Sequence, residues 1–164
     1  MGKIPFRLEQ LMKFESLALE IKSRDIQRSG KQLYWKPEKL REYADEKEGE
    51  PFLVIVYRFE EKKIKCYFIP LKKANELTVG PVRRDDFGMK PYDEKILRPY
   101  LVFDGTMHQL MSELFTEARI RKDSKAFRNT SEKFAEDIVR FILELVGFRV
   151  NINRRKGDGY AYRP

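Results

Sequence analysis

Apolar and polar residues alternate through Ser16 to Lys22, SLALEIK, and the apolar positions give out after Ile21, a pattern that predicts a strand ending in charge. The stretch from Ser23 to Lys36 is polar. Pro37 then stands where a first helical residue is favoured. With Leu40, Tyr43 and Ala44 at helical spacing and Gly49 as a stop, the pattern predicts a helix over 37–47. Two runs rich in β-branched and aromatic residues follow, PFLVIVYRF and IKCYFIPL, and the charged turn Glu60-Glu61-Lys62-Lys63 between them predicts a hairpin. Residues 72–99 carry Gly80, Pro81, Gly88, Pro91 and Pro99 among mixed charges and read as a connecting region.

Beyond it, Tyr100 to Phe103 fits a short strand, and Asp104-Gly105-Thr106 reads as a turn opening a helix over MHQLMSELFTEARI. Arg119 to Arg128 is basic and expected on the surface. Thr130 or Ser131 is placed to cap an amphipathic helix over 132–146, with Phe134, Ile138, Phe141, Ile142 and Leu145 on its apolar face and Gly147 at its end. Phe148, Val150 and Ile152 alternate with Arg149, Asn151 and Asn153, so 148–153 is expected to be a strand. It leads into the turn Lys156-Gly157-Asp158-Gly159 and a second strand. These elements predict an α/β fold, a mixed central sheet flanked by helices 37–47 and 132–146. The division is 1–71, a connecting region 72–99, and 100–164, within one compact domain.

Composition narrows the function classes. In 164 residues, 34 Lys plus Arg stand against 26 Asp plus Glu, a formal charge of +8, with 41% apolar residues to build a core. No apolar run approaches the roughly 20 residues of a membrane span, and MGKIPFRLEQLMKF lacks the apolar segment of a secretory signal, so a cytoplasmic protein with no membrane partner is expected. Cys66 is alone and His108 is the single histidine, which excludes an internal disulfide and a Cys/His zinc cluster and weakens any histidine-dependent hydrolase reading. A metal would need oxygen ligands. Abundant Lys and Glu with few Cys and His also resembles a thermophile composition.

The sharpest local chemistry is Glu20-Ile21-Lys22 at the polar end of its strand. Alternation puts Glu20 and Lys22 on one face, where a carboxylate can hold a divalent cation while an ammonium steadies a water or a phosphate oxygen. A plain ion pair on a solvated strand end has the same appearance.

The order of Glu-x-Lys strand, polar loop, helix and two strands in ALEIKSRDIQRSGKQLYWKPEKLREYADEKEGEPFLVIVYRFEEKKIKCYFIPL resembles the second half of PD-(D/E)xK nucleases, notably archaeal Holliday-junction resolvases. The stretch TSEKFAEDIVRFILELVGFRVNINRRKGDGYAYRP resembles the first half, where a Glu-bearing helix runs into a Gly-Phe-x-Val strand and a Gly-rich hairpin. The halves occur in inverted order. A circular permutation would produce this order, as would exchange of halves between subunits or a fragment spanning two neighbouring copies.

The resemblance implies a restriction-endonuclease-like fold and a Mg²⁺- or Mn²⁺-dependent DNA endonuclease, with a homodimer as the expected assembly of a resolvase. It implies Glu20 and Asp158 as metal ligands, Lys22 as the residue orienting the attacking water, and Glu136, or else Glu132, as the helix glutamate. Asp158 fits an ordinary Asp-Gly turn equally well. Arg24, Arg28, Lys31 and Lys36 after the Glu-x-Lys strand, and Arg154, Arg155 and Lys156 near the C-terminus together with Arg149 and Arg163, form two basic clusters that would meet at one site if the halves join. The competing expectation is a non-catalytic nucleic-acid-binding module, or an interaction subunit of a DNA-processing complex, on the same basic face.

Overall fold

The computed structural model describes residues 8–26, 33–83, 86–106, 109, 131–153 and 158–164. The chain is an α/β fold around a six-stranded mixed sheet. After a short helix α1 (Glu9–Met12), the charged-end strand is β1 (Ser16–Asp25), followed by a two-residue strand β2 (Tyr34–Trp35) and helix α2 (Pro37–Lys47). Strands β3 (Glu50–Arg58) and β4 (Lys63–Pro70) form the expected hairpin. A helix α3 (Leu71–Glu76), strands β5 (Thr78–Arg83) and β6 (Asp86–Met89), a turn of helix α4 (Glu94–Leu97) and strand β7 (Leu101–Thr106) lead to the long helix α5 (Ser131–Leu145) and the hairpin of β8 (Arg149–Asn153) and β9 (Asp158–Tyr162).

The large sheet runs β7-β4-β3-β1-β9-β8. Its one parallel pair is β1 with β3, and the crossover between them carries α2; the other neighbours are antiparallel. Strands 16–25 and 149–153 therefore belong to one sheet, with β9 between them.

Alternation sorts the strands onto two faces. Leu17, Leu19 and Ile21 of β1, Phe52, Val54 and Val56 of β3, and Ile64, Cys66 and Phe68 of β4 form one core with Ile138, Val139 and Ile142 of α5. Leu53, Ile55 and Tyr57 of β3, with Tyr67 and Ile69 of β4, form a second core with Leu40 of α2, Ala74 of α3, and Trp35 and Met89. Cys66 is fully buried, and burial pushes its thiol pKa up, as for an inert structural cysteine. Leu145, expected on the apolar face of its helix, is 50% exposed because α5 ends there.

Two stretches differ from the sequence reading. Residues 72–99 contain regular structure: β6 pairs with both β2 and β5 in a second, three-stranded sheet, held to the second core by the buried Trp35 ring, whose Nε1 donates to Thr78 Oγ1 at 3.3 Å. Asp104-Gly105-Thr106 continues β7, pairing with Lys65, Ile64 and Lys63. Turn-forming residues are tolerated there because this is the sheet edge and because a Cβ at Gly105 would meet the Phe103 ring at 2.9 Å. Thr106 and Gln109 are linked reciprocally, Thr106 Oγ1 accepting from the Gln109 N–H and Gln109 Oε1 from the Thr106 N–H, while the helix expected over MHQLMSELFTEARI lies, apart from Gln109, outside the described residues.

The close of α2 decides how β3 approaches β1. Glu48 takes the left-handed position, φ 55°, and donates its N–H to the Ala44 and Asp45 carbonyls. Gly49 then passes so near β1 that a Cβ there would lie 3.0 Å from Ala18 N and from the Leu17 carbonyl carbon. Both are backbone atoms in a central strand and cannot step aside. Gly49→Ala is therefore expected to lower stability by about 1–3 kcal/mol, read as a shift of the urea midpoint without a change in slope.

Candidate active site

The β1–β9 register sets Glu20 directly opposite Asp158, two residues 138 positions apart in sequence. In chain order the partners run from Ser16 opposite Tyr162 to Glu20 opposite Asp158, so the two carboxylates meet where β9 begins. Asp158 is thus the first residue of a paired strand, beyond the turn to which the sequence also fitted it. Both carboxylates are buried, Glu20 at 4% and Asp158 at 5% exposure, on the face of the sheet covered by α2.

Two ammonium groups come to this pair from different elements. Lys22 Nζ, on the same face of β1 as Glu20, lies 3.5 Å from Glu20 Oε1, and Lys39 Nζ, from the first turns of α2, lies 3.8 Å from Asp158 Oδ1. A hydrogen bond between these two carboxyl groups requires a proton on one of them. Burial, above all, and then that hydrogen bond push the Glu20 pKa up to about 7; the Lys22 ammonium opposes the shift, the Asp158 charge adds to it, and the Lys39 charge works against it. Glu20 Oε2 is buried without a hydrogen-bond partner among the described residues. Tyr43, one helical turn after Lys39, has its pKa raised by burial and by the Asp158 charge, with Glu46 and Tyr160 contributing further.

A buried carboxylate pair with an unmatched oxygen suits a hard cation, since oxygen donors of this kind hold Mg²⁺, which uses one or two carboxylates and completes its shell with water and phosphate oxygens. No group of three or more Asp, Glu, His or Cys side chains positioned to hold a metal occurs among the described residues. Glu136 is buried at 4% in α5, the helix that packs on β1, β8 and β3 from the other side, and does not join Glu20 and Asp158 in such a group. The Glu132 side chain lies outside the described residues.

The basic residues divide. Arg24 continues the face of Glu20 and Lys22 along β1 and is half-buried beside Tyr57. Lys36 is engaged by Asp86 of β6 at 3.2 Å, an ion pair that ties the start of α2 to the small sheet. Arg163 is structural: its Nη1 and Nε donate to the Val146 and Phe14 carbonyls and its guanidinium lies 4.1 Å from the Phe148 ring centroid, closing the end of α5. Arg149 pairs with Tyr162, at the end of β9 remote from Asp158. Arg28, Lys31, Arg154, Arg155, Lys156 and His108 lie outside the described residues.

Lys39 goes unremarked in the sequence, and Tyr43 enters there only as a helix-spacing residue with no place at the site. Their spacing of four was visible, but nothing in a charged, solvated helix marks which of its polar stripes turns toward another strand.

Comparison with known protein families, characterised proteins and solved structures gave no match. No helix among the described residues is long and apolar enough to cross a membrane.

Proposed function

We propose that this chain is a metal-dependent DNA endonuclease of PD-(D/E)xK type, with the two halves of a restriction-endonuclease-like fold in permuted order. One observation carries the reading: the strand register brings Glu20 and Asp158, from opposite ends of the chain, side by side with Lys22 and Lys39. Chance pairing of two strands offers no reason to bury two carboxylates against each other, because burying like charges is unfavourable unless a further charge is to be accommodated. The sheet order supports it as well. The helix-strand-strand unit α5-β8-β9 lies beside the strand-helix-strand unit β1-α2-β3 in a single sheet, the arrangement the permuted resemblance implies.

In this reading Glu20 and Asp158 hold Mg²⁺ or Mn²⁺, which when bound supplies Lewis-acid stabilisation of the phosphate oxygens and a more acidic water. Lys22, 28% exposed at its side chain and anchored by Glu20, orients the attacking water toward the phosphorus. Lys39 offsets the Asp158 charge and faces the incoming phosphate from α2. Tyr43 keeps its proton at neutral pH and so can donate a hydrogen bond at the site. Glu136, on α5 behind the sheet, takes no role at this pair.

The test is cleavage of branched, single-stranded and duplex DNA by the full chain in Mg²⁺, in Mn²⁺ and in EDTA. Cleavage in either metal, abolished by EDTA, is the expected result. Salt-sensitive DNA binding with no cleavage of any substrate would overturn the enzyme reading in favour of the non-catalytic module.

A further inference from the structure

We infer that the surface where α2 runs beside β9 is a binding track for an unpaired, single-stranded nucleic-acid segment leading away from the carboxylate pair. The inference rests on the nuclease reading for the position of the scissile phosphate, but its chemistry stands on residues outside that centre. Asp158, Tyr160 and Tyr162 share one face of β9 by strand alternation. The Tyr160 and Tyr162 rings lie nearly parallel, 21° apart with centroids 5.6 Å apart, and both residues are half-buried, so the pair forms an aromatic shelf partly exposed to solvent.

Across from this shelf, α2 presents a stripe spaced by four residues. Lys39 reaches Asp158, Tyr43 is electrostatically coupled to both Asp158 and Tyr160, and the exposed Lys47 places its ammonium 6.0 Å from the Tyr160 ring centroid. The helix stripe and the strand therefore run side by side from the carboxylates toward Tyr162. There the exposed Arg149, opposite Tyr162 on β8, closes the row, with exposed Asn151 beside Tyr160.

Aromatic rings alternating with cations suit one kind of polymer. Bases stack on rings through their π-faces while Lys and Arg take the phosphates, and no base pattern has to be read. Asp158 to Tyr162 spans four residue steps, about 13 Å along a strand, enough for a few nucleotides. A fully paired duplex keeps its bases stacked on each other and cannot offer them to this shelf. The substrate class is accordingly DNA or RNA with an unpaired segment next to the cleavage point: a flap, a splayed junction arm or a single strand.

The experiment measures binding by fluorescence anisotropy of a labelled single-stranded 12-mer and of the blunt duplex of the same sequence, with the full chain in EDTA at fixed salt. Tyr162→Ala and Tyr160→Ala should each weaken single-strand binding by about 5- to 100-fold while duplex affinity stays within about 3-fold, and the Tyr→Phe variants should retain wild-type binding. As a measurement on unaltered protein, a 5-iodouracil single strand should photo-crosslink at Tyr160 or Tyr162. Folded alanine variants that bind the single strand like wild type, or crosslinks that fall wholly elsewhere, would overturn the inference. Cleavage assays in parallel separate the two readings. Tyrosine-dependent single-strand binding by a chain that cuts nothing sustains the track and removes the nuclease. Metal-dependent cleavage indifferent to both tyrosines does the reverse.

Discussion

In the absence of divalent metal, Glu20→Gln should be more stable than the unaltered protein above pH 7, by about 3 kcal/mol at most, and the two should converge as the pH is lowered to about 4.5. The sign follows from the direction of the shift. The Glu20 pKa is raised in the folded state from an ordinary 4.5 to about 7, so between those values the folded chain holds a proton that the unfolded chain has released. Stability therefore falls as the pH rises through this window and stays low above it, where a second buried negative charge must sit against Asp158. Glutamine keeps the shape, donates from its amide to the Asp158 carboxylate, and never ionises.

Urea unfolding in EDTA at pH 5 and pH 8 measures the difference. Unaltered protein and variant with equal midpoints at pH 8 would mean that the pair is not under electrostatic strain. Adding Mg²⁺ gives the complementary reading. A cation bound by the folded state stabilises by RT ln(1 + [Mg²⁺]/Kd), about 2.7 kcal/mol at a hundredfold excess over Kd. The gap between unaltered protein and Glu20→Gln should thus narrow with metal at pH 8. A gain in stability on removing a residue is the usual mark of a site kept for function at a cost to the fold.

What the sequence reveals of this molecule follows from which forces act along the chain and which act across it. The strands of the large sheet and helix α2 are legible because their burial repeats with the period of the element: Leu17, Leu19 and Ile21 against Ala18 and Glu20, or Leu40 and Ala44 on α2. The second sheet is not. Strands β5 and β6, TVGPVR and DFGM, carry Gly, Pro and charge in place of a hydrophobic alternation. They are ordered by tertiary contacts, with Trp35 on Thr78, Met89 in the second core and Lys36 on Asp86. The same distinction divides the site. Glu20 and Lys22 are two apart on one strand and so necessarily share a face. The partnership of Glu20 with Asp158 depends on the register of β1 against β9, which no local pattern encodes, and Asp158 was reached through the family resemblance alone. Lys39 shows the converse. Its charge suits an ordinary solvated helix face, and only the packing of α2 over β1, beside β9, turns it toward Asp158. Arg163, grouped by sequence with a basic rim, spends its donors on backbone carbonyls at the far end of β9.

Asp158→Asn and Lys22→Ala should each lower DNA cleavage by about 10²–10³-fold or more, but their effects on binding should have opposite signs. Asparagine removes a negative charge from a site that must receive a phosphate while preserving the size of the side chain and its ability to hydrogen-bond Glu20. DNA affinity in EDTA should therefore hold or rise. Alanine at position 22 removes a cation 3.5 Å from Glu20, leaving the buried carboxylates less compensated, and affinity should fall modestly with a shallower salt dependence. Single-turnover cleavage at saturating protein separates the chemical step from binding. If Lys22 orients the attacking water, Lys22→Ala remains slow when all the DNA is bound. If Lys22 only attracts the phosphate backbone, saturation restores the rate, and its catalytic assignment fails. Lys39→Ala provides the internal comparison, because Lys39 faces the same carboxylates from α2 at 3.8 Å from Asp158. A role confined to charge balance and phosphate contact predicts a smaller loss, about 10-fold, recovered in large part at saturation. Equal, unrecoverable losses for Lys22→Ala and Lys39→Ala would show that α2 supplies a second indispensable group to the reaction.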